Sequence, residues 1–139
     1  MKTVEEALLT RLNGDSTLKS LLGNGSDCIL HAMEAVYPLA AGTVTYSNVS
    51  GGPGGVNTDD VKTVQELYQF SIFSQNYEAV KERIRRLLED YPFPALPDGS
   101  IKSCILEYVG PDDYDADLRV GVKRIRFKVE ICRSAEAPV

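Results

Sequence analysis

Between Leu67 and Tyr91 the hydrophobic period of the chain changes from two to about 3.6, with almost no connection between the two patterns. Tyr68, Phe70 and Ile72 alternate with Gln69 and Ser71, which places the three apolar residues on one face of a strand. Val80, Ile84, Leu87, Leu88 and Tyr91 then recur at helical spacing. The switch falls across Ser74 to Asn76 and predicts a strand running tightly into an amphipathic helix. Such a unit fits a sheet with helices packed on one face.

The remaining segments extend this plan. Val4, Ala7, Leu8 and Leu12 share one face of a first helix, with Glu5 and Glu6 at its positive end and Asn13-Gly14 at its stop. Asp15 or Ser16 can cap a short second turn carrying Leu18, Leu21 and Leu22, which Gly23 ends. Asp27 to Pro38 gives a mixed signal, strand-like at Cys28, Ile29 and Leu30 and helix-like from His31 to Ala35. Thr43 to Val49 is β-branched and reads as a strand. Ser50 to Asn57 holds too many glycines for a helix or central strand and reads as a long loop. After Pro92, Pro94 and Pro97, Cys104, Leu106 and Tyr108 alternate with Ser103, Ile105 and Glu107, and a loop from Gly110 to Asp117 leads into the last strand.

In that last strand Val120 and Val122 occupy even positions, whereas Ile125, Phe127, Val129 and Ile131 occupy odd ones. A β-bulge near Gly121 to Arg124 is expected to restore the register, leaving Arg124, Arg126, Lys128 and Glu130 on the opposite face. The expected fold is a single α+β domain over residues 1–139, in the order α-β-β-α-β-β. It has an antiparallel sheet of about four strands packed on one face by two main helices.

The 139 residues suffice for a real core, and no apolar run approaches the roughly 20 needed to cross a bilayer. Met1 to Glu6 is acidic where a secretion signal would be basic and then apolar, so synthesis in the cytosol is expected, with no membrane partner. Cys28, Cys104 and Cys132 are odd in number and scattered, which suits free thiols better than a disulfide framework or zinc ligands. A net charge of -5 argues against general nucleic-acid binding.

Catalytic equipment is thin. His31 is the sole histidine, lacks a Gly-x-Ser-x-Gly companion, and is better read as structural or surface. The loop Gly51, Gly52, Pro53, Gly54, Gly55 resembles a phosphate cradle but lacks the Gly-Lys-Ser/Thr that a P-loop needs. Asp113, Asp115 and Asp117 imitate the start of a calcium loop, but Leu118 stands at the glycine position and Arg124 at the closing glutamate. No catalytic residue, metal ligand or cofactor is assigned. The acidic run Asp112, Asp113, Asp115, Asp117 just precedes a basic one that includes Arg124, Arg126 and Lys128, and adjacent patches of opposite sign suit docking between copies.

The leucine-rich first helix, Asp15-Ser16-Thr17-Leu18, Leu21-Leu22-Gly23, Val36-Tyr37-Pro38, the block Tyr68 to Ser74 and the closing hairpin together resemble the tail terminator proteins of long-tailed bacteriophages. The family is also called tail completion or tail-to-head joining. The resemblance implies a non-enzymatic virion protein that forms a ring, usually of six copies, at the head-proximal end of the tail tube. There it would stop tube polymerisation and meet the head-tail connector protein, after assembly in the host bacterial cytoplasm. Its implied partners are itself, the tail tube protein and the connector, with no specific nucleic-acid binding. By this analogy Gly51 to Gly55, Asp112 to Asp117 and the basic stripe are candidate subunit or tube contacts. The alternatives are a head-tail connector or neck component and, from a different class, a small phosphate-binding enzyme using the glycine loop and terminal arginines.

Overall fold

A computed structural model describes residues 3–23, 29–31, 42–49, 63–89, 91–97 and 99–133. Helix α1 (Val4–Asn13) starts at Thr3, whose side chain accepts the Glu6 N–H at 3.1 Å, and buries Val4, Ala7, Leu8 and Leu12. Helix α2 (Ser16–Leu22) is capped by Asp15, which accepts the Leu18 N–H at 2.8 Å. It ends at Gly23, whose φ of 68° is the left-handed cap that glycine adopts without strain.

The sheet is built from β1 (Ile29–His31), β2 (Thr43–Asn48), β3 (Thr63–Phe73), β4 (Gly99–Val109), β5 (Asp113–Asp115) and β6 (Val120–Arg133). Its order is β1-β2-β3-β6-β4, with β5 also paired to β6. The four long strands pair antiparallel, as the hydrophobic pattern predicts. The short β1 adds a parallel pairing to β2, within the segment whose sequence signal is mixed. Helix α3 (Tyr77–Leu88) follows β3 after three residues and buries Val80, Ile84, Leu87 and Leu88.

One core joins the helices to one face of the sheet: Leu8, Leu12, Leu18, Val80 and Ile84 meet Val44, Phe70, Ile72, Ile125, Phe127 and Val129. Phe70 and Phe127 pack edge to face with centroids 5.8 Å apart, the arrangement that aromatic quadrupoles favour.

The expected bulge near Gly121 to Arg124 is corrected by the register. Pairing of β6 with β3 runs unbroken from Thr63↔Cys132 to Phe73↔Val122. The parity change has another cause. Val120 and Val122 join Phe73 in a second buried cluster, with Leu118 packed against it. Phe73 and Val122 pair on the face opposite the helices, so the two ends of β6 bury opposite faces. The irregularities sit in β4 instead, between Ile101 and Ser103 and between Leu106 and Tyr108. The second one corrects the simple alternation of Cys104, Leu106 and Tyr108. Leu106 pairs with Phe127 on the core face, whereas Tyr108 pairs with Arg126 on the other.

Candidate subunit interface

The acidic run forms the end of a β-hairpin in which three of its four aspartates have partners within the chain. Gly110 donates its N–H to the Arg124 carbonyl at 2.8 Å, setting the turn off β4. The Asp112 carboxylate then lies 2.7 Å from the Lys123 ammonium. Lys123 points to the helix side of β6, where its side chain is only 9% exposed, with Glu78 at 3.6 Å and the Tyr77 ring centroid at 5.9 Å. The hydrogen bond to Lys123 holds the Asp112 carboxyl below its ordinary range, and the same bond raises the lysine. Asp113 accepts its neighbour Tyr114's N–H at 2.8 Å and pairs with Arg124 at 3.3 Å.

Asp115 closes the turn. Its carboxylate accepts the Leu118 N–H at 2.9 Å and its carbonyl the Arg119 N–H at 2.7 Å, with Arg119 in the left-handed region at φ 57°. This is turn chemistry rather than cation ligation. Among the described residues no group of three or more His, Cys, Asp and Glu is arranged to hold a metal ion. Asp117 is exposed and has no partner among the described residues, and Tyr114 is 61% exposed.

The basic stripe lies on the sheet face opposite the helices, at the pairs Ser71↔Arg124, Gln69↔Arg126 and Leu67↔Lys128. On the other side of β6, Tyr108 pairs with Arg126 and Ile105 with Lys128. The guanidinium of Arg126 sits 5.2 Å from the Tyr108 ring centroid, and Arg126 Nη2 reaches Gln69 Oε1 at the long distance of 3.5 Å. Arg126 Nε is buried with no hydrogen-bond partner among the described residues, and the half-buried Lys128 makes no ion pair with any of them. Ile105 and Tyr108 are 50% and 44% exposed; alternation in the sequence sets Ile105 opposite the core residues but not Tyr108, which the β4 irregularity turns outward.

The structure therefore brings Asp112, Asp113 and Asp115 into the hairpin's own framework and joins Arg124 to it through Asp113. It leaves Asp117, Arg126 and Lys128 without an opposite charge among the described residues. Gly51, Gly52, Pro53, Gly54 and Gly55 lie outside the described residues. His31 falls in β1. The described hollows are open ones. One beside β4 is about 470 Å³, lined by Leu88, Glu89, Tyr91 and Ile101 to Ile105. Its cysteine, Cys104, is buried, and burial pushes its thiol up to about 12, away from nucleophilic use.

No family model matches the sequence, and no curated protein matches it. A solved structure does share the fold. It is a chain from the "Virion of native gene transfer agent (GTA) particle", with a TM-score of 0.65 and 9% sequence identity, covering 94% of this chain and 95% of that one. The shared architecture thus extends over nearly the whole of both chains. No helix among the described residues is long and apolar enough to cross a membrane.

Proposed function

We propose that this protein is a structural component of a phage-like particle, a tail terminator that forms a ring at the head-proximal end of the tail tube. The observation that carries the reading is the whole-length likeness in fold to a chain of a gene transfer agent virion, a phage-like particle. The residues support it in a second way. A hairpin and a sheet face each leave a group of opposite charge unpaired among the described residues, which suits recognition between proteins. In a ring each copy makes a heterologous contact with the next, and rotation closes the set.

The ring, usually of six copies in the family this sequence resembles, would end tube polymerisation and present a surface to the head-tail connector. The glycine loop at Gly51 to Gly55 and the hairpin at Asp112 to Asp117 would provide contacts to neighbours or to the tube. Assembly would take place in the bacterial host's cytoplasm before incorporation in the virion tail.

Native mass spectrometry across a concentration series, with negative-stain images of the same samples, tests the reading. Closed rings of uniform copy number are expected, alone or on isolated tails. A chain that remains monomeric in both settings would refute it. Binding to filled heads in preference to tails would instead assign the chain to the connector or neck.

A further inference from the structure

We infer that the contact between successive copies is made by the end of the β5–β6 hairpin of one copy, at Tyr114 and Asp117, seated on the Ile105, Tyr108, Arg126 and Lys128 face of the next. This inference rests on the ring reading and names the surfaces that the ring would use.

Charge pairing along β6 carries the argument. Arg124, the first residue of the stripe, is paired with the hairpin of its own chain through Asp113 at 3.3 Å. Arg126 and Lys128 lie two and four residues farther along the strand, roughly 7 and 13 Å from it. Neither has a carboxylate partner among the described residues. Asp117 is the hairpin aspartate without a partner among the described residues. Among the described residues, one chain therefore presents an unpaired anion at the hairpin end and unpaired cations in mid-sheet.

The state of Arg126 points the same way. Its Nε is shielded from solvent without an acceptor among the described residues, which leaves the guanidinium incompletely satisfied within the chain. Arg126 Nη2 reaches Gln69 only at 3.5 Å, so a carboxylate from another copy would replace that long neutral contact with a stronger charge-assisted one. Beside it, Ile105 and Tyr108 expose apolar surface on the same face, with Leu67 on the far side of Lys128. An aromatic anchor suits that surface, and Tyr114 is the most exposed large hydrophobic residue described. The two surfaces differ, so the contact is heterologous and generates a ring or a filament rather than a closed dimer.

The test uses two full-length variants, one altered on the face (Arg126→Glu with Lys128→Glu) and one on the hairpin (Tyr114→Ala with Asp117→Lys). Each alone is expected to stay monomeric where the unaltered protein forms rings, with self-affinity lowered at least about tenfold. Mixed in equal amounts, they should form dimers and nothing larger, because one intact hairpin meets one intact face. The mixed dimer also shows that both variants are folded. Rings formed by either variant alone as by the unaltered protein would overturn the inference and leave the ring reading standing. A mixture that remains monomeric while both variants keep native circular dichroism would overturn it as well. Unaltered protein that forms no ring alone or on tails would remove the ring reading, and this inference with it.

Discussion

Arg83 donates from Nε at 2.8 Å and Nη2 at 2.7 Å to the two carboxylate oxygens of Asp15, 68 residues earlier in the chain. The same carboxylate caps α2 through Leu18, so one side chain starts a helix and locks it to α3. Both residues are half-buried, with the Arg83 side chain 31% exposed, so solvent screens the pair in part. Arg83→Ala is expected to lower the urea midpoint of unfolding, because it removes both charge-assisted hydrogen bonds to Asp15.

The pair should also leave a mark in acid. The bond from Arg83 holds the folded Asp15 carboxyl below its ordinary value of 3.8. On acidification the unfolded chain therefore takes up the proton first. The contribution is fully present above that ordinary value and fades as pH falls through the lower folded one. Urea titrations of the unaltered protein and Arg83→Ala should thus differ at pH 7 and converge below pH 3.8. A gap that stays constant down to pH 2 would sink this assignment.

Gly121 lies where an added Cβ would overlap the Tyr77 ring at the start of α3. Gly121→Ala should cost about 1–3 kcal/mol, since the ring has to leave its place beside Lys123. In a Tyr77→Ala background the same change should cost much less. Equal costs in both backgrounds, measured as a double-mutant cycle, would show that the ring is not the obstacle.

How much was legible in the sequence depended on whether one face of an element meets one core. Helix α1, the cap-and-stop signals of α2 and the passage from β3 to α3 each bury a single stripe, and their boundaries follow the residues that predict them. Strand β6 buries opposite faces at its two ends, and a parity count alone cannot distinguish that from a bulge. In β4 the reverse holds. Its residues alternate smoothly, yet the ladder slips twice, because register depends on the partner strand rather than on the strand's own pattern. The interface candidates suffered similarly. Composition marks four aspartates alike, whereas geometry gives Asp112 to Lys123, Asp113 to Arg124 and Asp115 to the turn.

Strand β4 lies at the end of the sheet order, and Glu89 shields part of its outer side by accepting the Leu106 N–H at 2.8 Å. Arg85 holds Glu89 in place at 3.1 Å. A charged side chain over an edge strand blocks unwanted strand addition. Glu89→Ala should speed amide hydrogen exchange at Leu106 at least about tenfold and increase aggregation on warming. Unchanged exchange at Leu106 would mean that another group protects that amide.

The two described cysteines should differ sharply in reactivity, because burial and chemistry act in the same direction. Cys104 faces the core, where loss of hydration disfavours the thiolate and, with the nearby Glu89 charge, pushes the group up to about 12. At pH 8 only about one Cys104 in ten thousand is then a thiolate, the form that reacts with iodoacetamide. Cys132 lies near the end of β6 and is exposed. Peptide mapping after brief alkylation of the folded protein should therefore find Cys132 modified and Cys104 intact, with both modified once urea unfolds the chain. Equal labelling before unfolding would place the Cys104 side of β4 in contact with solvent and would contradict the packing of Val129 and Phe127 against that strand.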